Sequence, residues 1–573
     1  MNVGIVATPD LTLSSHKTFF PLTDAILREK HTVSYRSMEY LLATDSRKEE
    51  IDNNFLEKVD VLIGPLDPDL LRSRARAQKP VPYAVFLQGE TGRGLHSYSR
   101  CYRYLTTSDI LVGNCTSDVA IVNKFFQNAT TRNVPFPFDE SLFHVLAEDS
   151  RQEIRGSLGI DPEDKVLLYS GRLTLEKNVH TLLRLFSVLK SVVPNLHLVL
   201  AGPVIDAPAS GFGAYPLNLG RTFSKMLEGL NISGKYFHLI GDQGKQRLRE
   251  LYSMADICVN MTLHHDENFG LAQVEAMACG TPVVGSNWGG LKDTVVDGTT
   301  GFKVSTVLTK AGVKVHWLEA VSTILFVLRN NSLRQRLRDS CRSYAQRTFS
   351  AARYSSCLES LLEEAKSLHE RSSQLLEPTL FARQFWEVCG DKGTLDSPAY
   401  CQGSRAFELY RQLIGLYSGT VYAERRPGAG LRPDEILCLA TPVRIDSECE
   451  IEVNDPIYPM RISIPAVLCS DVKTLLYKFN EAGVMSVQEA QRRLPDRWFE
   501  VLDWMIEAGV VLRIYPEQLR TELPFIETSI NVPLLSIQRV NLSTDIAVVS
   551  GISGLDEALD PRPAIQTRID DGI

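Results

Sequence analysis

The feature that most constrains the fold is an alternation of short apolar runs with helix-like segments, which occurs twice along the chain. The first series has apolar runs at 3–8, 59–64, 82–87 and 110–113, and helical patterns at 18–29 and 118–126. Strands that alternate with helices predict βαβ units and a parallel sheet. The apolar runs are continuous, which indicates strands covered on both faces of the sheet.

A second series of the same kind follows. Its apolar runs are 165–170, 196–201, 236–240, 256–260 and 282–285, with helical patterns at 178–190, 245–254 and 270–278. We therefore predict an α/β fold with two doubly wound, Rossmann-like domains, at 1–145 and 146–370. The carboxyl ends of their strands would face a cleft between them, where ligands bind. The second domain would close with helices from 315 to 370, broken near 330–331 and 348.

The remaining residues have a different pattern. Strand-like stretches occur at 435–445 and 459–465, and 470–515 has the order helix, helix, helix, strand. That order resembles a winged helix, so we predict a C-terminal α+β accessory domain over 371–530, winged-helix-like at 470–515. The last segment, 531–573, lacks clear periodicity and is predicted to be a poorly ordered tail.

Charge and composition exclude several classes of protein. The chain has 573 residues, with 61 Lys and Arg against 69 Asp and Glu, which gives a net charge of −8. An electrostatic nucleic-acid binder needs a basic face, so nucleic acid is an unlikely partner. No run of eighteen apolar residues and no basic, apolar leader is present, so we expect no membrane span and a cytoplasmic protein. The eleven cysteines have no Cys-x-x-Cys spacing, which predicts no zinc or redox motif and fits a reducing compartment.

The strongest chemical signal lies between 266 and 284. Glu267 would lie on the loop that leaves a strand, and Phe269, Gly270 and Leu271 would open the next helix. The first amides of a helix attract anions, and a glycine there allows close approach to the backbone. Glu275, one to two turns along this helix, can accept hydrogen bonds from hydroxyl groups. Two carboxylates beside an anion site suit a polyol phosphate such as a nucleotide sugar.

These residues also carry a family resemblance. Residues 267–284 read Glu267, seven residues, Glu275 and then Ala-Met-Ala-Cys-Gly-Thr-Pro-Val-Val. This pattern resembles the signature of retaining glycosyltransferases of family 4, which have the two-domain GT-B fold. The triplets Gly171-Arg172-Leu173 and Glu176-Lys177-Asn178 extend the match. The resemblance covers roughly 150–365, is weaker over 1–145, and does not reach the C-terminal domain.

The resemblance implies a role for each matching residue on the donor side. Arg172 and Lys177 would hold the diphosphate of a nucleotide-sugar donor and neutralise its charge as it leaves. Glu275 would bind the ribose hydroxyls, and Glu267 would contact the transferred sugar. The remaining donor contacts would come from Gly171 and from the amides of Phe269, Gly270 and Leu271.

The acceptor side departs from the family pattern. Where such enzymes often have a glycine pair, this chain has Ser14 and Ser15, which can either donate to a phosphate or an acceptor, or cap a helix beginning near Lys17. Where they often have a histidine, it has Gln88, which cannot act as an acid or base at neutral pH. Glu90 is the candidate substitute base.

The resulting expectation is a metal-independent, retaining glycosyltransferase that needs no cofactor besides its nucleotide-sugar co-substrate and acts on an acceptor that the sequence does not identify. The altered acceptor side supports an alternative, a glycosyltransferase-like scaffold that binds a nucleotide sugar without transfer. The C-terminal domain can then recruit a protein or peptide partner, form a homodimer, or serve only as a packing module.

Overall fold

A computed structural model describes most of the chain up to residue 523. The described residues are 1–6, 14–37, 40, 44–77, 79, 81–87, 101–174, 177–205, 219–232, 234–263, 267–309, 312–371, 418, 430–441, 443–446, 448–453, 460–521 and 523. The predicted tail at 531–573 lies outside them. None of the described helices is long and apolar enough to cross a bilayer.

The first domain is built on a six-stranded sheet in the order β2-β1-β3-β4-β5-β6, with every strand pair parallel. Its strands are β1 (Asn2–Ile5), β2 (Thr32–Tyr35), β3 (Val61–Gly64), β4 (Tyr83–Phe86), β5 (Ile110–Gly113) and β6 (Thr130–Asn133). Its helices are α1 (Ser14–Arg28), α2 (Asp45–Leu56), α3 (Pro68–Arg76) and α4 (Thr116–Phe125). Strands β3, β4 and β5 are entirely buried, as the continuous apolar runs predicted.

The second domain has another six-stranded parallel sheet, in the order β12-β11-β10-β7-β8-β9. Its strands are β7 (Lys165–Ser170), β8 (Leu196–Ala201), β9 (Phe237–Leu239), β10 (Ile257–Asn260), β11 (Val283–Ser286) and β12 (Gly301–Val304). Its helices are α5 (Glu148–Ser157), α6 (Val179–Val192), α7 (Leu219–Gly229), α8 (Lys245–Met254), α9 (Leu271–Ala278) and the single turn α10 (Leu291–Thr294). Neighbours β7 and β10 lie where the strand order reverses, the switch point of a doubly wound sheet. The predicted pair of Rossmann-like domains is confirmed.

Three helices close this part of the chain: α11 (Trp317–Arg329), α12 (Asn331–Thr348) and α13 (Ala351–Arg371). They match the predicted breaks, because the Asn330 side chain accepts the Leu333 amide and caps α12. A hairpin that the sequence did not predict, β13 (Thr306–Thr309) with β14 (Gly312–Val315), precedes them.

Helix α13 returns to the first domain. Its Tyr354 hydroxyl lies 3.1 Å from Thr23 Oγ1 in α1, and its Glu364 accepts the Arg132 guanidinium. The chain crosses between the domains twice, and the two crossings touch where the Phe138 amide donates to the Phe349 carbonyl at 3.2 Å. This paired crossing is the covalent hinge of the two domains.

In the part of the C-terminal domain that the structure describes, there are two small antiparallel sheets and three α-helices. One sheet has the order β19-β15-β20 and the other β16-β17-β18. The strands are β15 (Ile436–Leu439), β16 (Val443–Ile445), β17 (Glu450–Val453), β18 (Met460–Ser463), β19 (Val484–Ser486) and β20 (Val511–Ile514). The helices are α14 (Cys469–Ala482), α15 (Val487–Arg493) and α16 (Trp498–Glu507). The predicted order of helices is present with β19 added after the first, and the winged-helix assignment stays a prediction.

The sheet around β15 is buried on both faces. Ile436 and Cys438 belong to the core that contains Trp317 of α11, whereas Leu437 and Leu439 pack with the domain's own helices. The Trp317 indole donates to the Leu439 carbonyl at 2.9 Å. The C-terminal domain is therefore packed onto the second domain through a shared apolar core.

Cys449 and Cys469 form a disulfide, with Cα atoms 5.9 Å apart. The sequence did not predict this bond, because the two cysteines are 20 residues apart and only the return of the chain through β17 and β18 brings them together. The pairing departs from the expectation of scattered free thiols.

Candidate functional site

The candidate site lies at the carboxyl ends of β7 and β10, the two strands at the switch point of the second sheet. Gly171 and Arg172 directly follow β7, and Glu267 lies on the segment between β10 and α9. A crevice at this position is where doubly wound sheets bind their ligands. The fold therefore brings the two sequence motifs to one edge of the sheet.

The closest approach between the motifs is an ion pair. Lys177 Nζ donates to Glu267 Oε2 at 2.5 Å, and both side chains are largely buried. Asn178 fixes the position of Lys177, because its side-chain amide donates to the Met261 carbonyl beyond β10 at 2.9 Å. Asn178 also adopts a left-handed conformation, with φ 57°, which turns the chain into α6.

Two glycines hold the backbone of the Glu267 segment. The Gly290 amide donates to the Glu267 carbonyl at 2.6 Å. A Cβ on Gly290 would lie 2.3 Å from the Phe269 nitrogen, and one on Gly289 would lie 2.2 Å from the Glu267 oxygen. Only glycine allows this close approach of two backbone segments.

The predicted helix after this segment is confirmed, with Gly270 as its N-cap at φ 82° and Leu271 as its first residue. The Phe269 ring lies edge-to-face against Phe136 and Phe349, at centroid distances of 5.5 and 5.4 Å. Since these two rings belong to the two domain crossings, Phe269 ties the start of the helix to the hinge.

Glu275 lies within α9 and is almost completely buried. The Tyr252 hydroxyl, which belongs to α8, is 3.3 Å from Glu275 Oε2 and 3.1 Å from Ser170 Oγ at the end of β7. Burial raises the pKa of Glu275 to about 8, against the opposing charge of Lys245 and the Tyr252 hydrogen bond. The side chain is therefore neutral at pH 7 and can both donate and accept hydrogen bonds.

Gly171 is held by the neighbouring strand β8, and Arg172 by a side chain of β7 itself. The Gly171 amide donates to the Ala201 carbonyl at 2.9 Å, and the Tyr169 hydroxyl donates to the Arg172 carbonyl at 2.8 Å. These contacts fix the turn that carries the Arg172 side chain above β7.

The acceptor-side predictions are only partly tested. Helix α1 begins at Ser14, so Ser14 and Ser15 occupy its first turn, and the prediction that they precede a helix beginning near Lys17 is wrong. Gln88 and Glu90 lie outside the described residues. Within the described ranges, no three His, Cys, Asp or Glu side chains are grouped so that they could hold a metal ion.

Several residues of the site gave no signal in the sequence. Tyr252 touches Glu275 from another helix, and Asn114 of the first domain accepts a hydrogen bond from Asn268, beside Glu267. Such contacts depend on how separate elements pack together. Asn178 belongs to a motif that the sequence analysis identified, but its hydrogen bond to the Met261 carbonyl was not predicted.

Residues 150–343 match the family model for glycosyl transferases group 1. A D-inositol 3-phosphate glycosyltransferase of a Nocardioides species is 28% identical over 232 residues, which cover 40% of this chain and 48% of that protein. A lipopolysaccharide 1,2-N-acetylglucosaminetransferase of Salmonella typhimurium is 30% identical over 155 residues, or 27% of this chain and 39% of that protein.

Among solved structures, sucrose-phosphate synthase from Thermosynechococcus elongatus aligns with a TM-score of 0.48 and 17% identity, covering 64% of this chain and 99% of that one. The chain spans less than half the length of the two curated relatives. The match nevertheless includes every donor-side residue described above. Over residues 150–343, therefore, the chain is similar to the glycosyl transferases group 1.

Proposed function

We propose that this protein transfers a sugar from a nucleotide-diphosphate sugar to an acceptor bound by the first domain, without a metal ion and with retention of the anomeric configuration. The observation that carries the proposal is the Lys177–Glu267 ion pair at the switch point, and the buried Glu275 lies on α9, the helix that follows Glu267. A cation and two carboxyl groups at the edge of a doubly wound sheet match a diphosphate linked to two polyols.

The chemical step needs charge stabilisation at the leaving group. When the bond between sugar and phosphate breaks, positive charge grows on the sugar ring and negative charge on the departing diphosphate. Lys177 and Arg172 would stabilise that negative charge, assisted by the N-terminus of α9. Glu267 holds the Lys177 ammonium in place and would contact the sugar itself.

Proton transfer follows from the same arrangement. In a retaining reaction on one face of the sugar, the leaving phosphate oxygen can accept the proton of the attacking hydroxyl, so no separate base is required. Neither Gln88 nor Glu90 is needed for that step. Closure of the two domains would exclude water from the reacting carbon.

Slow hydrolysis of the donor in the absence of acceptor tests this function. Purified protein is incubated with UDP-, GDP-, ADP- and TDP-sugars, with and without EDTA, beside Lys177→Ala and Glu275→Ala. Cleavage of one donor that is lost in both variants and unaffected by EDTA supports a metal-independent transferase. If a donor raises the melting temperature but is never cleaved, even with candidate acceptors, the scaffold alternative replaces the proposal.

The C-terminal domain offers a surface for a partner as well. Three of the four large apolar side chains that are strongly exposed among the described residues belong to it, namely Val467, Tyr477 and Phe499. Because the C-terminal domain is packed on the donor domain through β15, a protein or peptide bound to it would be held in a fixed position relative to the site. Retention of the protein by an immobilised partner, lost in Tyr477→Ala with Phe499→Ala, would support this role.

A further inference from the structure

The two domains touch immediately beside Glu267. Asn268 Nδ2 donates to Asn114 Oδ1 at 3.1 Å, across the cleft between β10 and β5. The Asn114 side chain is itself fixed, because its Nδ2 donates to the Val134 carbonyl at 2.8 Å. The residue next to the candidate catalytic carboxylate is thus anchored in the opposite domain.

A second contact lies one segment further along. Cys115, the N-cap residue of α4, makes no side-chain capping hydrogen bond. Instead Asp293 of the donor domain accepts the Thr116 amide at 2.5 Å and the Thr116 hydroxyl at 2.8 Å. A carboxylate at this place satisfies amides that a helix leaves without partners and interacts favourably with the helix dipole.

The two contacts are joined through the backbone that holds Glu267. Asp293 lies on α10, which directly follows Gly289 and Gly290. Since the Gly290 amide binds the Glu267 carbonyl, a shift of α10 also displaces Glu267. Asn268 and Asp293 therefore connect the position of the first domain to the position of the carboxylate.

We propose that Asn268 and Asp293 are positioning residues of a polar latch, formed with Asn114 and Thr116, that holds the domains closed and places Glu267 for transfer. This role rests on the transferase function proposed above. The latch lies beside the covalent hinge, because Asn268 precedes Phe269, whose ring packs on Phe136 and Phe349 of the two crossings. Its release frees the two domains to rotate about that hinge.

The chemistry of the latch makes it reversible. Thr116 is exposed and the Asp293 side chain is only partly buried, so water can replace the hydrogen bonds when the domains separate. Each hydrogen bond to a charged group is worth about a tenfold or larger change in an equilibrium constant. Loss of Asp293 should therefore shift the ratio of closed to open protein by about tenfold or more.

The experiment compares the full chain with Asp293→Ala, Asn268→Ala and the double variant by small-angle X-ray scattering without ligand. Asp149→Ala is the matched control, because Asp149 is an exposed acid in the first turn of a donor-domain helix. The double variant should have a larger radius of gyration than wild type and Asp149→Ala. Asp293→Asn should recover part of the closure, since its amide oxygen can still accept the Thr116 amide.

Activity gives the second measurement. On the donor identified by hydrolysis, Asp293→Ala should lower kcat by about tenfold while donor affinity stays within twofold of wild type. A radius of gyration unchanged in the double variant, with far-ultraviolet circular dichroism confirming its fold, overturns the latch. The scattering result stands even if no donor is cleaved, so failure of the latch and failure of the transferase function are separate outcomes.

Discussion

Lys177 and Glu267 lie 90 residues apart in sequence, yet their side chains meet at 2.5 Å across the switch point of the donor-domain sheet. The contact couples the turn after β7 to the segment after β10. Because one partner is a cation and the other a carboxylate, removal of either takes an opposite charge away from the other in a largely buried place.

Loss of the Lys177 ammonium should therefore reduce catalysis. We expect Lys177→Ala to lower kcat/KM by roughly a hundredfold, on the order of 3 kcal/mol of transition-state stabilisation. Steady-state kinetics on the cleaved donor measures this. Lys235→Ala, which breaks an exposed pair with Asp161, should leave the rate unchanged. Equal rates in wild type and Lys177→Ala would refute the assigned role.

The buried Glu275 makes stability depend on pH. Its pKa is raised to about 8 in the folded protein, so the folded state holds a proton that the unfolded state loses above about pH 4.5. The contribution of Glu275 to the free energy of unfolding is therefore fully present below about pH 4.5 and is lost as the pH rises towards 8. In urea unfolding at several pH values, the free energy of unfolding should fall less steeply with pH in Glu275→Gln than in wild type. An identical fall in the two proteins would contradict the raised pKa of Glu275.

A histidine pair in the same domain should act in the opposite direction. His197 Nδ1 and His238 Nε2 lie 3.0 Å apart. Burial lowers the pKa of His238 to about 4. A base with a depressed pKa stays neutral when folded, so stability is complete above about pH 6.5 and is lost as pH falls towards 4. His238→Gln should flatten the acidic limb of the unfolding profile. An unchanged acidic limb would rule out this pair as its source.

Gly290 is predicted to be irreplaceable because of its backbone contact. A Cβ there would lie 2.3 Å from the Phe269 nitrogen, so Gly290→Ala should destabilise the protein and displace Glu267. The control is Gly156→Ala in α5, where a Cβ meets nothing within 4 Å and helix propensity should add about 0.5–1 kcal/mol. Thermal unfolding of both variants checks the contrast, and similar melting temperatures would contradict it.

The packing of the C-terminal domain predicts that it cannot be removed. Deletion after Arg371 would expose the apolar surface around Trp317, which we expect to cause aggregation. A milder test is Trp317→Phe, which removes the hydrogen bond to the Leu439 carbonyl and should cost about 1 kcal/mol. Scanning calorimetry measures that loss. A soluble, fully stable truncated protein would show that the two domains are independent.

The sequence predicted most of the two large domains because their strands are short, continuous apolar runs. It also located the breaks between α11, α12 and α13, where Asn330 caps a helix. It missed several strands that are short and mostly partly polar, namely β2, β6, β12, β17, β19 and the hairpin of β13 and β14. The docking of the C-terminal domain was not predictable, because the continuous apolar run of β15 indicates that both faces are covered but not which element covers each face.

The positions of the candidate donor-side residues around α9 were predictable, because their spacing is local and fixed by one loop and one helix. Glu267, Gly270 and Glu275 needed only the register of α9. Contacts between distant elements, such as that of Tyr252 with Glu275 or Asp293 with Thr116, depend on packing angles that a single sequence does not encode in readable form. The start of α1 was also misplaced, because Ser14 is a helix residue where serine more often caps.

The central claim is that the edge of the second sheet binds a nucleotide sugar, and isothermal titration calorimetry tests it most directly. UDP-, GDP-, ADP- and TDP-sugars are titrated into wild type, Lys177→Ala and Glu275→Ala. We predict that at least one of these donors binds wild type and that both substitutions weaken its binding by about tenfold or more. If no donor binds wild-type protein that is folded and monodisperse, or if binding survives both substitutions unchanged, the assigned donor site is wrong.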